Sequence, residues 1–147
     1  MEILFYHLEQ APLEKVLPAL LEKTLERGWK AVIEVGSSER ADSLDTSLWA
    51  WRDDSFLPHG RDGSDTDSLQ PLLLTTGEAN ANGADVRFFV DGAVPRAEGD
   101  YVRLVFMFDG HDPETVNAAR SAWKTLSKDN ACTYWQQEAG GRWVKKG

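Results

Sequence analysis

Short apolar runs alternate with amphipathic stretches along this chain. Ile3-Leu4-Phe5-Tyr6 reads as a buried strand within Glu2–Leu8. Leu13, Val16, Leu17, Leu20 and Leu21 then recur at i, i+3, i+4, i+7 and i+8, which predicts a helix with one buried face. Pro18 either kinks that helix or sits in the first turn of one that starts late. Gly28 suits its end. Lys30–Val35 is a second strand, and Gly36-Ser37-Ser38-Glu39 supplies a turn, capping serines and an acid for the next helix's positive end. Leu44 and Leu48 share a face of that helix. Trp49 and Trp51 lie off their line, so at least one ring should reach the flank or the surface. Pro58 biases Leu57 away from helical geometry, so Phe56, Leu57, Pro58 and His59 read as an apolar turn.

Arg61–Ser68 is a polar surface loop, and Gly77–Asp85 is a loop or a short helical turn. Pro71–Thr75, Val86–Asp91 and Tyr101–Asp109 are three further strands. Asp112-Pro113-Glu114 opens a last helix, with Val116, Ala119, Ala122, Trp123 and Leu126 as its apolar stripe. Thr133–Gln137 and Arg142–Lys146 make an edge strand or a hairpin around Gly140-Gly141. Strand, glycine turn and helix in succession begin a βαβ unit. The expected class is an α/β sandwich with a mostly parallel sheet flanked by helices, one domain over residues 1–147.

Composition removes several function classes. The single Cys132 excludes an internal disulfide and a cysteine-based zinc site. His7, His59 and His111 have no metal-ligand spacing, and Asp62, Asp65 and Asp67 lack the calcium-loop pattern, so no metal is expected. There is no apolar run of membrane-spanning length and no signal-peptide pattern, which points to a cytoplasmic setting. A nucleotide could sit at the Gly36 turn of a doubly wound sheet, yet both phosphate-loop signatures are missing. No nucleophile elbow is present, and Cys132 has no local catalytic signature. No catalytic residue and no cofactor are assigned.

Charge adds an asymmetry. The chain carries −8, which argues against tight binding to DNA. Residues 115–147 nevertheless hold Arg120, Lys124, Lys128, Arg142, Lys145 and Lys146 against only Asp129 and Glu138. That segment is +4 and the preceding 114 residues are −12. A basic end on an acidic body fits an anionic partner, and it also fits a solvated face. Arg120 and Lys124, four apart, stand on one helix face.

The sequence Leu44-Asp45-x-x-Leu48-Trp49, followed by Ser55–Gly60 (SFLPHG), resembles the chi subunit of the bacterial DNA polymerase III clamp-loader complex. The opening ILFYHL, Gln70-Pro71, Ala122-Trp123-Lys124 and Tyr134-Trp135 fit in the same order. The resemblance implies a Rossmann-like three-layer sandwich and a non-catalytic replication adaptor. It implies that Arg120, Trp123 and Lys124 bind the acidic C-terminal tail of single-stranded DNA-binding protein. A further family lysine falls on Val116, so Lys128 or the C-terminal lysines would complete the pocket. It also implies that Trp49 and Phe56, in a turn shaped by Pro58 and His59, bind the psi subunit or another protein such as a helicase. A small α/β enzyme or nucleotide binder with its site near Gly36 is the alternative.

Overall fold

The structure, a computed structural model, describes residues 1–50, 57–140 and 142–146. Trp51 and Phe56 lie outside the described residues. In chain order the elements are β1 (Glu2–Leu8), α1 (Leu13–Glu26), β2 (Ala31–Val35), α2 (Ser38–Trp49), β3 (His59–Arg61), β4 (Leu72–Thr75), β5 (Val86–Val90), β6 (Arg103–Asp109), α3 (Pro113–Leu126), β7 (Ala131–Gln137) and β8 (Trp143–Lys145). A single 3-10 turn, Asp67–Leu69, precedes β4. The strands form one sheet in the order β3-β4-β2-β5-β6-β1-β7-β8. All neighbouring pairs are parallel except β7–β8. The expected α/β sandwich with a mostly parallel sheet is therefore observed.

β2 and β5 are buried at every position, as strands covered on both faces are, and their residues are apolar apart from Glu34 and Arg87. Side-chain alternation sorts the interior into two cores. Leu17, Leu21, Leu44 and Leu48 of α1 and α2 pack on Ile33, Leu74, Phe88, Val105 and Met107. Val116 and Ala119 of α3 pack on Ile3, Phe5, Phe106 and Phe108 of the opposite face. The helices that follow the adjacent strands β1 and β6 thus leave on opposite faces, which makes a topological switch point between those strands.

Several local expectations are refined. Pro18 lies inside α1 and is buried, so the late-starting alternative fails and the Glu14 carbonyl loses its ladder donor. Gly28, at φ 78, closes α1: its N–H donates to Leu25 O at 2.9 Å, and Trp29 N–H donates to Thr24 O at 3.2 Å. The apolar turn ends sooner than the residue types suggest, because His59–Arg61 pairs with Leu72–Leu74 as an edge strand. β7 and β8 pair as the expected hairpin, with β7 an inner strand between β1 and β8.

Among the described residues, one stretch of the α3 face carries no helix. Around β2 and β5 it is closed by the irregular chain on either side of β5, and a buried charge cluster holds that closure. Glu34 Oε1 accepts from Arg87 Nη2 at 2.5 Å and from Arg96 Nη2 at 2.6 Å. Arg87, 2% exposed, also donates to the carbonyls of Gly77 and Ala79 and to the Tyr101 hydroxyl. Burial alone would push the Glu34 carboxyl up, but the hydrogen bonds and charges of Arg96 and Arg87 outweigh it and hold the group below its ordinary value.

A depressed carboxylate stabilises the fold fully above its unfolded value of 4.5 and ceases to do so as pH falls through the lower folded value. Glu34→Leu should therefore cost about 3 kcal/mol at neutral pH, since it strands a buried guanidinium. Its loss of stability below pH 4.5 should also be shallower than the wild type's. Urea midpoints for both proteins across that range check this; parallel pH profiles would refute it.

Candidate partner-binding site

Helix α3 begins cleanly because Asp112 Oδ1 accepts the Glu114 N–H at 3.0 Å and Pro113 occupies the first turn. Lys124 in the last turn complements the negative end of the helix. One face, built on Val116 and Ala119, is core. Arg120, Lys124 and Lys128, four residues apart, are exposed on another. Trp123 lies beside them on the core side, half-buried, with its ring T-shaped to Phe5 at 5.3 Å and to Tyr134 at 5.9 Å. Arg120, Trp123 and Lys124 are thus brought together on one helix, with Lys128 just beyond its end.

Val116 is 9% exposed and belongs to the core, so no cation is presented at that position. The C-terminal hairpin approaches the same face. Lys146 N–H donates to Tyr134 O at 2.7 Å, which sets Lys146 in the row of Tyr134 and Lys145 in the row of Trp135 on the other face.

Beneath the cation stripe lies a polar chain that sequence reasoning missed. The Tyr134 hydroxyl hydrogen-bonds His7 Nδ1 at 2.8 Å, and His7 Nε2 sits 3.0 Å from Glu9 Oε1, which also accepts from Gln136 Nε2. Phe108 closes the His7 ring at 5.1 Å. Burial lowers the His7 value, Glu9 opposes that and Arg120 adds to it. Burial raises Tyr134, with Arg120 pulling the other way. Arg120 therefore acts on both rings electrostatically. The available signal was alternation: Phe5 and His7 share the face of β1 that α3 covers.

The aromatic patch lies at the C-terminal end of α2, on the other face of the sheet. Trp49 is 53% exposed and tilted over the buried His59, ring centroids 4.3 Å apart. His59 Nδ1–H donates to Leu57 O at 2.6 Å, and its Nε2 lies 3.0 Å from Asp45 Oδ1. His59 thereby joins β3 to α2 and supports the tryptophan. Pro58 is partly buried beside it, and Phe56 lies outside the described residues.

A family model described as "DNA polymerase III chi subunit, HolC" matches residues 1–133. The chain belongs to that chi subunit family. A "Probable DNA polymerase III subunit chi" from Rickettsia prowazekii (strain Madrid E) is 28% identical over 81 residues, 55% of this chain and 49% of that protein. The chain thus matches about half the length of that curated relative.

Within the chi match fall the whole of α2 and α3, whereas Tyr134, Trp135 and β8 lie beyond it. At the Gly36 turn the chain's own backbone occupies the approach. Gly36 N–H donates to Asp91 O at 3.2 Å, and a Cβ there would stand 2.6 Å from the Gly92 carbonyl carbon. Arg40 Nη1 donates to the same Asp91 carbonyl at 3.0 Å. The crevice at the switch point, about 460 Å³, is lined by Glu9, Glu14, Asp91 and Asp109, a setting that repels phosphates.

His7 should titrate below its ordinary 6.5, because burial disfavours the imidazolium. Its folding contribution then holds above 6.5 and is lost as pH falls through the lower folded value. An NMR titration of the His7 ring protons reads this directly; a midpoint at or above 6.5 contradicts it.

Proposed function

We propose that this chain is a non-catalytic replication adaptor. On one surface it captures the acidic C-terminal tail of single-stranded DNA-binding protein, and on another it captures the psi subunit of the clamp loader or a protein using the same patch. The supporting observation is the exposed stripe Arg120, Lys124 and Lys128 beside the half-buried ring of Trp123. An acidic peptide that ends in an apolar residue with a free carboxylate requires both features: cations for its charges and an aromatic wall for its end. Trp49 lies on the other sheet face, so both partners can be held at once. The net charge of −8 makes proteins, and not DNA, the partners of both surfaces.

A peptide copying the acidic tail should bind with micromolar affinity, on the order of −8 kcal/mol. Arg120→Ala or Lys124→Ala should cost about 1–3 kcal/mol. Affinity should fall as salt rises, while the apolar contact limits that fall. Titration calorimetry at two salt concentrations measures each quantity, and unchanged binding to the double variant would reject the site. Trp49→Ala should weaken capture of psi in a pull-down and leave tail binding intact. Loss of both together, with circular dichroism unchanged, would contradict two independent surfaces.

A further inference from the structure

The hairpin β7–β8 extends the sheet past the cover of α1. Its face on that side is left as an open groove of about 460 Å³ between α1 and the hairpin. Tyr6, Trp135 and Trp143 form the floor, with Tyr6 and Trp143 edge-to-face at 5.2 Å. Lys15 and Lys23, two turns apart on α1, are exposed on its wall, and Lys145 stands opposite Trp135 across the ladder. Among the described residues no acidic one lines the groove, although the chain carries −8. Neither Lys15 nor Lys23 forms an ion pair among the described residues. Apolar floor and uncompensated cations therefore coincide in an otherwise acidic protein.

We infer that this groove is a second peptide-binding surface, for an acidic partner segment with apolar anchors, on the opposite sheet face from α3. Its acids would meet Lys15, Lys23 and Lys145, and its apolar side chains would cover Trp135 and Trp143. Charge complementarity selects the acids, and two half-buried indoles select the anchors. Single-stranded nucleic acid also favours cations and aromatic rings, but it carries a charge on every nucleotide into the field of a −8 protein. A peptide with a few carboxylates meets far less of that repulsion. The surface does not depend on the tail-binding reading, since it shares no residue with Arg120, Trp123 or Lys124.

The probe is a short synthetic peptide of aspartates interspersed with leucine and phenylalanine, followed through the indole N–H resonances of the labelled full chain. The expected result is that Trp135 and Trp143 shift on titration, and that they still shift in Arg120→Ala/Lys124→Ala. Lys15→Glu/Lys23→Glu, two surface changes that leave the core untouched, should weaken binding at least about tenfold. A lysine-for-aspartate version of the peptide should not bind. The inference is overturned if only Trp123 moves, if the charge-reversed variant binds equally, if the basic peptide binds as well, or if a single-stranded oligonucleotide shifts the same indoles more strongly.

Discussion

Adjacent parallel strands whose helices depart to opposite faces impose a geometry that nothing later in the chain can undo. β1 hands its chain to α1 on one side, and β6 hands its chain to α3 on the other. Every surface feature inherits a side from that choice. Trp49, at the end of α2, belongs to the first core's exterior; Arg120, Lys124 and Lys128 belong to the second's. Between the faces lies a sheet whose central strands are buried on both sides, so neither patch can reach the other without breaking a core. Separate surfaces on separate faces follow from topology before any side chain is considered.

The same arrangement creates a cost. With α3 over β6 and β1, no helix among the described residues remains for the second face of β2 and β5. That area is closed by loops, whose backbone groups must find partners where secondary structure supplies none. Arg87 supplies them through donors to Gly77 and Ala79, while Glu34 neutralises it and recruits Arg96 from the next loop. A buried ion pair is seldom a net gain over apolar packing, but removing one member leaves a charge stranded. The cluster is better understood as fixing where two loops lie than as adding stability.

Much of this was legible. The apolar runs placed β1, β2 and β4–β6, and the stripe Val116, Ala119, Ala122, Trp123 and Leu126 placed α3, because single-faced burial writes its period into the sequence. The cation stripe was legible for the same reason. Pro18 was not resolved, since tertiary packing of α1 overrode a local penalty. β3 was hidden because three residues containing a glycine at a sheet edge carry no alternation. The pairings Arg87–Glu34, His59–Asp45 and His7–Tyr134 join residues 53, 14 and 127 positions apart, and no local pattern records such partners.

Recognition and stability are not separable at α3. Trp123 packs T-shaped against Phe5 and Tyr134 and is only half-buried, so the wall proposed for a ligand is also a piece of the second core. Tyr134 in turn rests on Phe5 and is tied to His7, whose ring is closed by Phe108. A ring held on several sides loses little rotamer freedom when a ligand covers it, so more of the contact energy remains for binding. The cations beside it are the opposite case, long side chains in water that must be ordered on contact. For the proposed tail site, the rigid wall would therefore set where a partner sits, and the solvated charges would set how quickly it arrives and how strongly salt opposes it.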